Sequence, residues 1–238
     1  SFFTGVSEGI IGFDRIIKML DVSHGQIVIE EKGIYSIEKF LIARRLMYWQ
    51  VYLHKTVIAA EQLLVKILER AKQLTMSGTQ LFATPNFAHF LNNTIRKKDF
   101  ENDPQHLECF SSLDDFDIYT SVKVWASADD KILSQLCRNL ISRNLYHVEI
   151  SNEAPPAERI NVLIEKAMAR YSVNVEEASY FVFTNTIKNN AYRVNDGNIN
   201  LLMKDGSIKD IAAASDNSNL EALAKTVKKH ILCHLKDL

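Results

Sequence analysis

The chain has 238 residues, 28 Lys plus Arg against 29 Asp plus Glu, and a formal charge of -1; it is 47% hydrophobic and 24% charged. That length holds one large domain or two small ones around a proper core. The balanced charge excludes a global attraction for nucleic acid or an anionic membrane, and the composition excludes disorder and low-complexity repeats.

In chain order, Phe13 to Leu20 has helical periodicity, with Phe13, Ile16, Ile17 and Leu20 at i, i+3, i+4 and i+7, and His24-Gly25 ends it. Gln26 to Glu30 and Gly33 to Tyr35 read as a hairpin turning at Glu31-Lys32-Gly33. Ser36 then caps a helical stretch that runs to about Leu74 without Gly or Pro. At 1.5 Å per residue it would be roughly 60 Å long, so one break is expected. Pro85 starts a short helix through Phe90, and Arg96 to His106, polar and holding Pro104, reads as a loop. Two helices come next, about Leu113 to Trp125 and Asp129 to Ser142, the second capped by Asp129.

After Arg143 the texture changes. Tyr146 to Ile150 reads as a strand, and Pro155-Pro156 leads into a helix ending near Tyr171. Ser179 to Ile187, Ala191 to Val194, Ile199 to Lys204 and Ile208 to Ile211 read as strands, with Asn195-Asp196-Gly197 and Asp205-Gly206 as hairpin turns. Ser218 or Asn219 opens a last helix to about Leu235. The expected fold is mainly α followed by α+β, with a helical domain over 1–143 and a mixed lobe containing an antiparallel sheet over 144–238.

Cys109, Cys137 and Cys233 are far apart and show no C-x-x-C spacing, which points to free thiols in a reducing cytoplasm and not to a disulfide framework. No apolar run approaches the roughly 18 residues that a membrane span needs, so no membrane partner is expected. Asn92-Asn93-Thr94 matches the glycosylation pattern by chance in a chain without a secretory signal. The opening Ser1-Phe2-Phe3-Thr4-Gly5 has neither an initiator Met nor a cationic leader, and reads as the continuation of a longer protein.

The common nucleotide motifs, G-x-G-x-x-G and G-x-x-x-x-G-K-[ST], are absent, as is H-E-x-x-H. His230 and His234 stand four apart, a metal-holding spacing on a helix, but no third ligand is near in sequence, and a solvated helix end is the simpler reading. Chemistry concentrates instead between Ala43 and Lys55. At 100° per residue, Arg44, Tyr48, Tyr52 and Lys55 fall within about 80° of one another, and His54 points elsewhere. Two cations and two phenols in one stripe can hold a phosphate and a sugar: Arg offers a planar fork to phosphate oxygens, Lys a point charge, and the phenols hydroxyls and ring faces. An amphipathic helix whose polar face is aromatic has the same pattern.

The stretch Arg44-x-x-x-Tyr48-x-x-x-Tyr52-x-His54-Lys55 resembles the R-x-x-x-H-x-x-x-Y-x-H-K helix of HD-superfamily phosphohydrolases, the group that contains the deoxynucleoside triphosphate triphosphohydrolases. Ser1 to Val6 resembles the segment that comes after their D-x-D-R-x-D-Y-x-x-R-D run. Leu113-Asp114-Asp115-Phe116-Asp117, Asp129 to Leu140 and Arg143 to Val148 resemble their later helices. The resemblance covers residues 1 to about 150, and implies that Arg44 meets the phosphates and that Tyr52 lines the sugar or base. Tyr48 stands where better-known members carry His. His54 and Lys55 match positions that belong to an inter-subunit effector-nucleotide site in allosterically controlled relatives, which implies a homo-oligomer.

The H…HD…D metal ligands of that superfamily lie before this helix, and no His-Asp dipeptide occurs in the sequence. The resemblance therefore implies a longer parent that uses a divalent metal (Mn, Mg, Fe, Ni or Zn), with no metal ligand and no complete catalytic set on this chain, which alone would be inactive. Its expected function is to supply phosphate- and nucleoside-contacting residues to a metal-dependent phosphohydrolase acting on nucleotides, dNTPs foremost. The alternative is a non-catalytic regulatory or oligomerisation module. Arg96-Lys97-Lys98 stands beside the acidic stretch Glu101 to Asp103, so a nucleic-acid partner is not expected.

Overall fold

The structure is a computed structural model that describes residues 4–189, 198–215 and 226–238. As the sequence predicts, it is mainly helical with a mixed α+β part whose sheets contain antiparallel pairs. It separates into two compact units, one of residues 1–57, 150–154 and 186–231, the other of 58–149, 155–185 and 232–238. The chain therefore crosses between these units several times.

In the first unit, α1 (Phe13–Lys18) leads into β1 (Leu20–Ser23), which pairs with β2 (Gln26–Glu30) in an antiparallel hairpin. The turn is His24-Gly25, with φ of 51° and 75°. Two successive left-handed residues make the two-residue turn whose twist suits a hairpin. The predicted hairpin is thus displaced by one element: His24-Gly25 joins strands instead of ending a helix, and Glu31–Gly33 is a 3-10 turn. α2 (Ile34–Met47) starts at once after Gly33, with no side-chain cap, so Ser36 lies inside the helix.

The long helical stretch exists and has the expected break. α2 passes into a π turn over Tyr48–Tyr52, and α3 (Lys55–Met76) carries the chain into the second unit. The Leu53 N–H donates to the Tyr48 carbonyl at 2.7 Å, an i to i+5 bond, and the His54 N–H then donates to the Val51 carbonyl at 3.3 Å. The Nδ1 of His54 accepts from the Thr56 N–H at 3.3 Å, which caps the start of α3.

The second unit continues with α4 (Pro85–Asn92), α5 (Asp99–Asn102), α6 (Pro104–Ser111), α7 (Asp115–Trp125) and α8 (Lys131–Ile141). The predicted loop over 96–106 is largely helical. The Asp103 carboxylate caps α6 by accepting from the Gln105 N–H, Pro104 sits in the first turn where its missing N–H costs nothing, and Phe100 and Phe110 pack edge to face. α7 has a capping box in which Asp114 and Asp117 exchange bonds. Asp130, one residue later than predicted, caps α8 through the Leu133 N–H. Its carboxylate also pairs with Arg70 of α3 at 2.6 Å.

The chain goes on through β3 (His147–Ser151), α9 (Ala157–Tyr171), α10 (Val175–Ala178) and β4 (Val182–Asn189). The predicted strand over 191–194 and turn over 195–197 lie outside the described residues. β5 (Asn200–Leu202) and β6 (Ile208–Asp210) form the predicted hairpin across Asp205-Gly206, with Gly206 at φ 84°. β5 also pairs parallel with β2, Ile29 opposite Leu201, so the sheet order in the first unit is β1-β2-β5-β6. After α11 (Ile211–Ala214), residues 227–234 are a strand, β7, and not the predicted last helix; residues 218–225 of that helix lie outside the described residues. β7 is central in a second sheet of order β3-β7-β4, and Ile231 through His234 are all buried. A strand covered on both faces loses the alternation that marks a strand in sequence.

The core of the first unit gathers Ile29, Ile37, Leu41, Leu201 and Ile211, so α2 is seated on the sheet by residues far apart in sequence. In the second unit Trp125 is buried against Phe87, its indole N–H donating to the Phe82 carbonyl at 2.9 Å. Tyr146 is buried likewise, donating to the Tyr180 carbonyl at 2.6 Å.

Candidate functional site

α2 turns Leu41 and Ala43 into the core and leaves the neighbouring Arg44 exposed. On that outward side Arg44, Met47, Tyr48 and Tyr52 line a cavity of about 270 Å³, closed by Phe40, Ala43 and, from the N-terminal segment, Gly9 and Ile11. The 3-10 turn Ser7–Gly9 is held beside α2 by the amide of Gln50, which donates to Glu8 at 3.3 Å. That bond and local backbone bonds hold the Glu8 carboxyl below the usual carboxylate range, backbone bonding contributing most.

Three of the sequence-selected residues therefore meet at one cavity. The Arg44 guanidinium carbon stands 5.7 Å from the centre of the Tyr48 ring, and the Tyr48 and Tyr52 rings lie 5.2 Å apart with planes at 51°. Arg44 makes no ion pair with a described residue, so its charge leans on a ring face and faces the cavity unneutralised. Tyr52 is 56% exposed, which leaves its hydroxyl available. Lys55 and His54 are not among the lining residues. The π turn adds a residue to one helical turn and rotates the residues after it, so Lys55 leaves the stripe that uniform helical spacing predicts and begins α3 instead. π turns concentrate at functional sites, and this one holds Tyr48 and Tyr52, two of the three sequence-selected residues at the cavity.

His230 and His234 do not share a helix face, because both are on β7. His234 instead approaches His147 and Glu149, and this is the grouping of metal-ligating side chains found among the described residues. The superfamily's own metal set is not supplied by the residues present: there is no His-Asp dipeptide, and the grouping is a His-x-Glu on one strand with a His on another.

Residues 11–86 match the family model described as the HD associated region. The chain is 31% identical over 246 residues to the uncharacterized protein YwfO of Bacillus subtilis, all of this chain against 53% of that protein. It is 27% identical over 202 residues to the uncharacterized protein MG461 of Mycoplasma genitalium, 79% of this chain against 44% of that protein. Among solved structures, a phosphohydrolase from Bacteroides thetaiotaomicron superposes with a TM-score of 0.86 at 50% identity, covering 99% of this chain and 59% of that one. A hypothetical protein from Aquifex aeolicus shares the fold at 20% identity, with a TM-score of 0.60. The family-model match covers about a third of the chain, and the chain spans about half the length of the curated relatives it matches. No helix among the described residues is long and apolar enough to cross a membrane.

Proposed function

We propose that this chain supplies the phosphate- and nucleoside-contacting part of a metal-dependent HD phosphohydrolase acting on nucleotides, dNTPs first among them. One observation carries the reading: Arg44, without a carboxylate partner among the described residues, shares a cavity with two phenols. Arg44 takes the phosphates by its planar fork, and Tyr52 takes the sugar or base. Tyr48 orients Arg44 through its ring face and offers a hydroxyl to the same cavity. A divalent metal bound by the remainder of the longer parent would orient the phosphate and activate water.

The test is a phosphohydrolase assay of the parent with Mn²⁺ or Mg²⁺ and each dNTP. Arg44→Ala should lower turnover by about 10- to 150-fold, the equivalent of one charge-assisted contact of about 1.5–3 kcal/mol. A parent that releases no phosphate or triphosphate from any nucleotide or phosphoester overturns the proposal.

A regulatory or assembly module is the second reading, favoured by the exposed Leu107 and Phe110 of α6 and Phe116 and Tyr119 of α7, Phe116 being 79% exposed. It predicts a stable homo-oligomer, and a monomer by sedimentation at micromolar concentration removes it. The effector role of His54 and Lys55 would belong to that oligomer.

A further inference from the structure

His147 and Glu149 are two residues apart on β3, so strand geometry puts both side chains on one face. The neighbouring strand β7 presents His234 to them. One ligand atom from each lies within 4.8 Å of the other two, and the two imidazole rings are 5.0 Å apart.

The orientation of the His234 ring is set by its Nδ1 contact. Its Nδ1 lies 2.7 Å from the Leu235 carbonyl oxygen, which can only accept, so Nδ1 carries the proton. In the neutral ring the other nitrogen, Nε2, is then a lone pair, and it faces Glu149 Oε1 at 3.6 Å. A lone pair aimed at a carboxylate oxygen is satisfied by a cation between them. The 3.6 Å separation also matches the donor–donor edge of a tetrahedral centre, roughly 3.3–3.6 Å for zinc bonds of 2.0–2.2 Å. A carbonyl holding Nδ1–H is the outer-shell partner that metal-ligating histidines have. Arg159 donates to the same Oε1 at 2.5 Å, and the second oxygen of Glu149 has no hydrogen-bond partner among the described residues.

We propose that His147, Glu149 and His234 bind a divalent transition metal of the zinc type. Two imidazoles and one carboxylate select such an ion over Mg²⁺ or Ca²⁺, which prefer all-oxygen shells. Three protein ligands leave a fourth position for an exogenous ligand. His234 also walls a cavity of about 510 Å³ that carries Glu158, Arg159 and Lys166, which gives water or a small exogenous ligand access to that position. The site uses none of the residues at the Arg44 cavity, and stands or falls separately from the proposed nucleotide chemistry.

The experiment is titration of the metal-free 238-residue chain with Zn²⁺ against a chromophoric chelator, and with Co²⁺ followed by visible absorption. One equivalent should bind, and Co²⁺ should give the intense bands of a four-coordinate site. His147→Gln, at an exposed position, and Glu149→Gln should each weaken Zn²⁺ by at least about tenfold, while His230→Gln leaves it unchanged. Absence of Zn²⁺ uptake, or equal uptake by wild type and His147→Gln, overturns the proposal.

Discussion

The two units assemble their chemical groups in opposite ways. At the cavity of the first unit, Arg44, Tyr48 and Tyr52 come from a single helical segment and are neighbours because of spacing alone. At the histidine cluster of the second, His147 and Glu149 come from β3 and His234 from β7, and only strand pairing brings them together. Groups carried on one helix keep their order even when its packing loosens, whereas groups carried on paired strands depend on register, which a slip of one residue would invert.

That contrast can be broken from the core outward. Leu41 is 1% exposed in the cluster beneath α2, and Leu41→Ala should cost about 2–5 kcal/mol by urea denaturation. The nucleotide cavity should then weaken with the unit, while Zn²⁺ binding by the second unit survives.

In the second unit, Asp130→Ala removes the α8 cap and leaves the Arg70 charge, 13% exposed, without its partner. The expected loss is about 3 kcal/mol. Burial pushes the Asp130 carboxyl up, but the Arg70 hydrogen bond, the Leu133 N–H and the Arg70 charge outweigh it and bring the carboxyl below its ordinary value. Its stabilisation is therefore complete above the unfolded value of about 3.9 and is lost as pH falls through the folded value. Acid unfolding of wild type should show this loss, and Asp130→Ala should flatten it.

A smaller effect is expected where the first unit turns into α2. A Cβ on Gly33 would meet Ile29 Cγ2 at 2.8 Å, so Gly33→Ala should cost about 1–3 kcal/mol, read as a lowered Tm. Smallest is a difference in thiol reactivity. Burial pushes the Cys137 and Cys233 thiols up to about 12, which leaves about one part in ten thousand as thiolate at pH 8. Cys109 is half-buried, so an aromatic disulfide reagent should titrate one thiol in the native chain and three in denaturant.

The helices were legible because their signals are local. Pro155-Pro156 leading into α9, Pro85 opening α4 and the Asp205-Gly206 turn each act within a few residues. So does the spacing that picked out Arg44, Tyr48 and Tyr52. Where two local signals competed, the sequence misled: His24-Gly25 can end a helix or turn a hairpin, and the partner strand decides. The 96–106 segment looked polar because its apolar contacts, Phe100 with Phe110 and with His106, run between short helices.

By itself, then, the sequence determined the helical character, the long helix with one break, the β5–β6 hairpin and the closeness of Arg44, Tyr48 and Tyr52, but not the place of Lys55. Tertiary structure alone decided that residues 227–234 form a central strand, that β5 joins β2, and that the histidine at 234 faces Glu149 instead of sharing a helix with His230. The reason is range. Helical periodicity and turn chemistry are set by neighbours within four residues, whereas strand pairing is set by whichever distant segment buries the same surface.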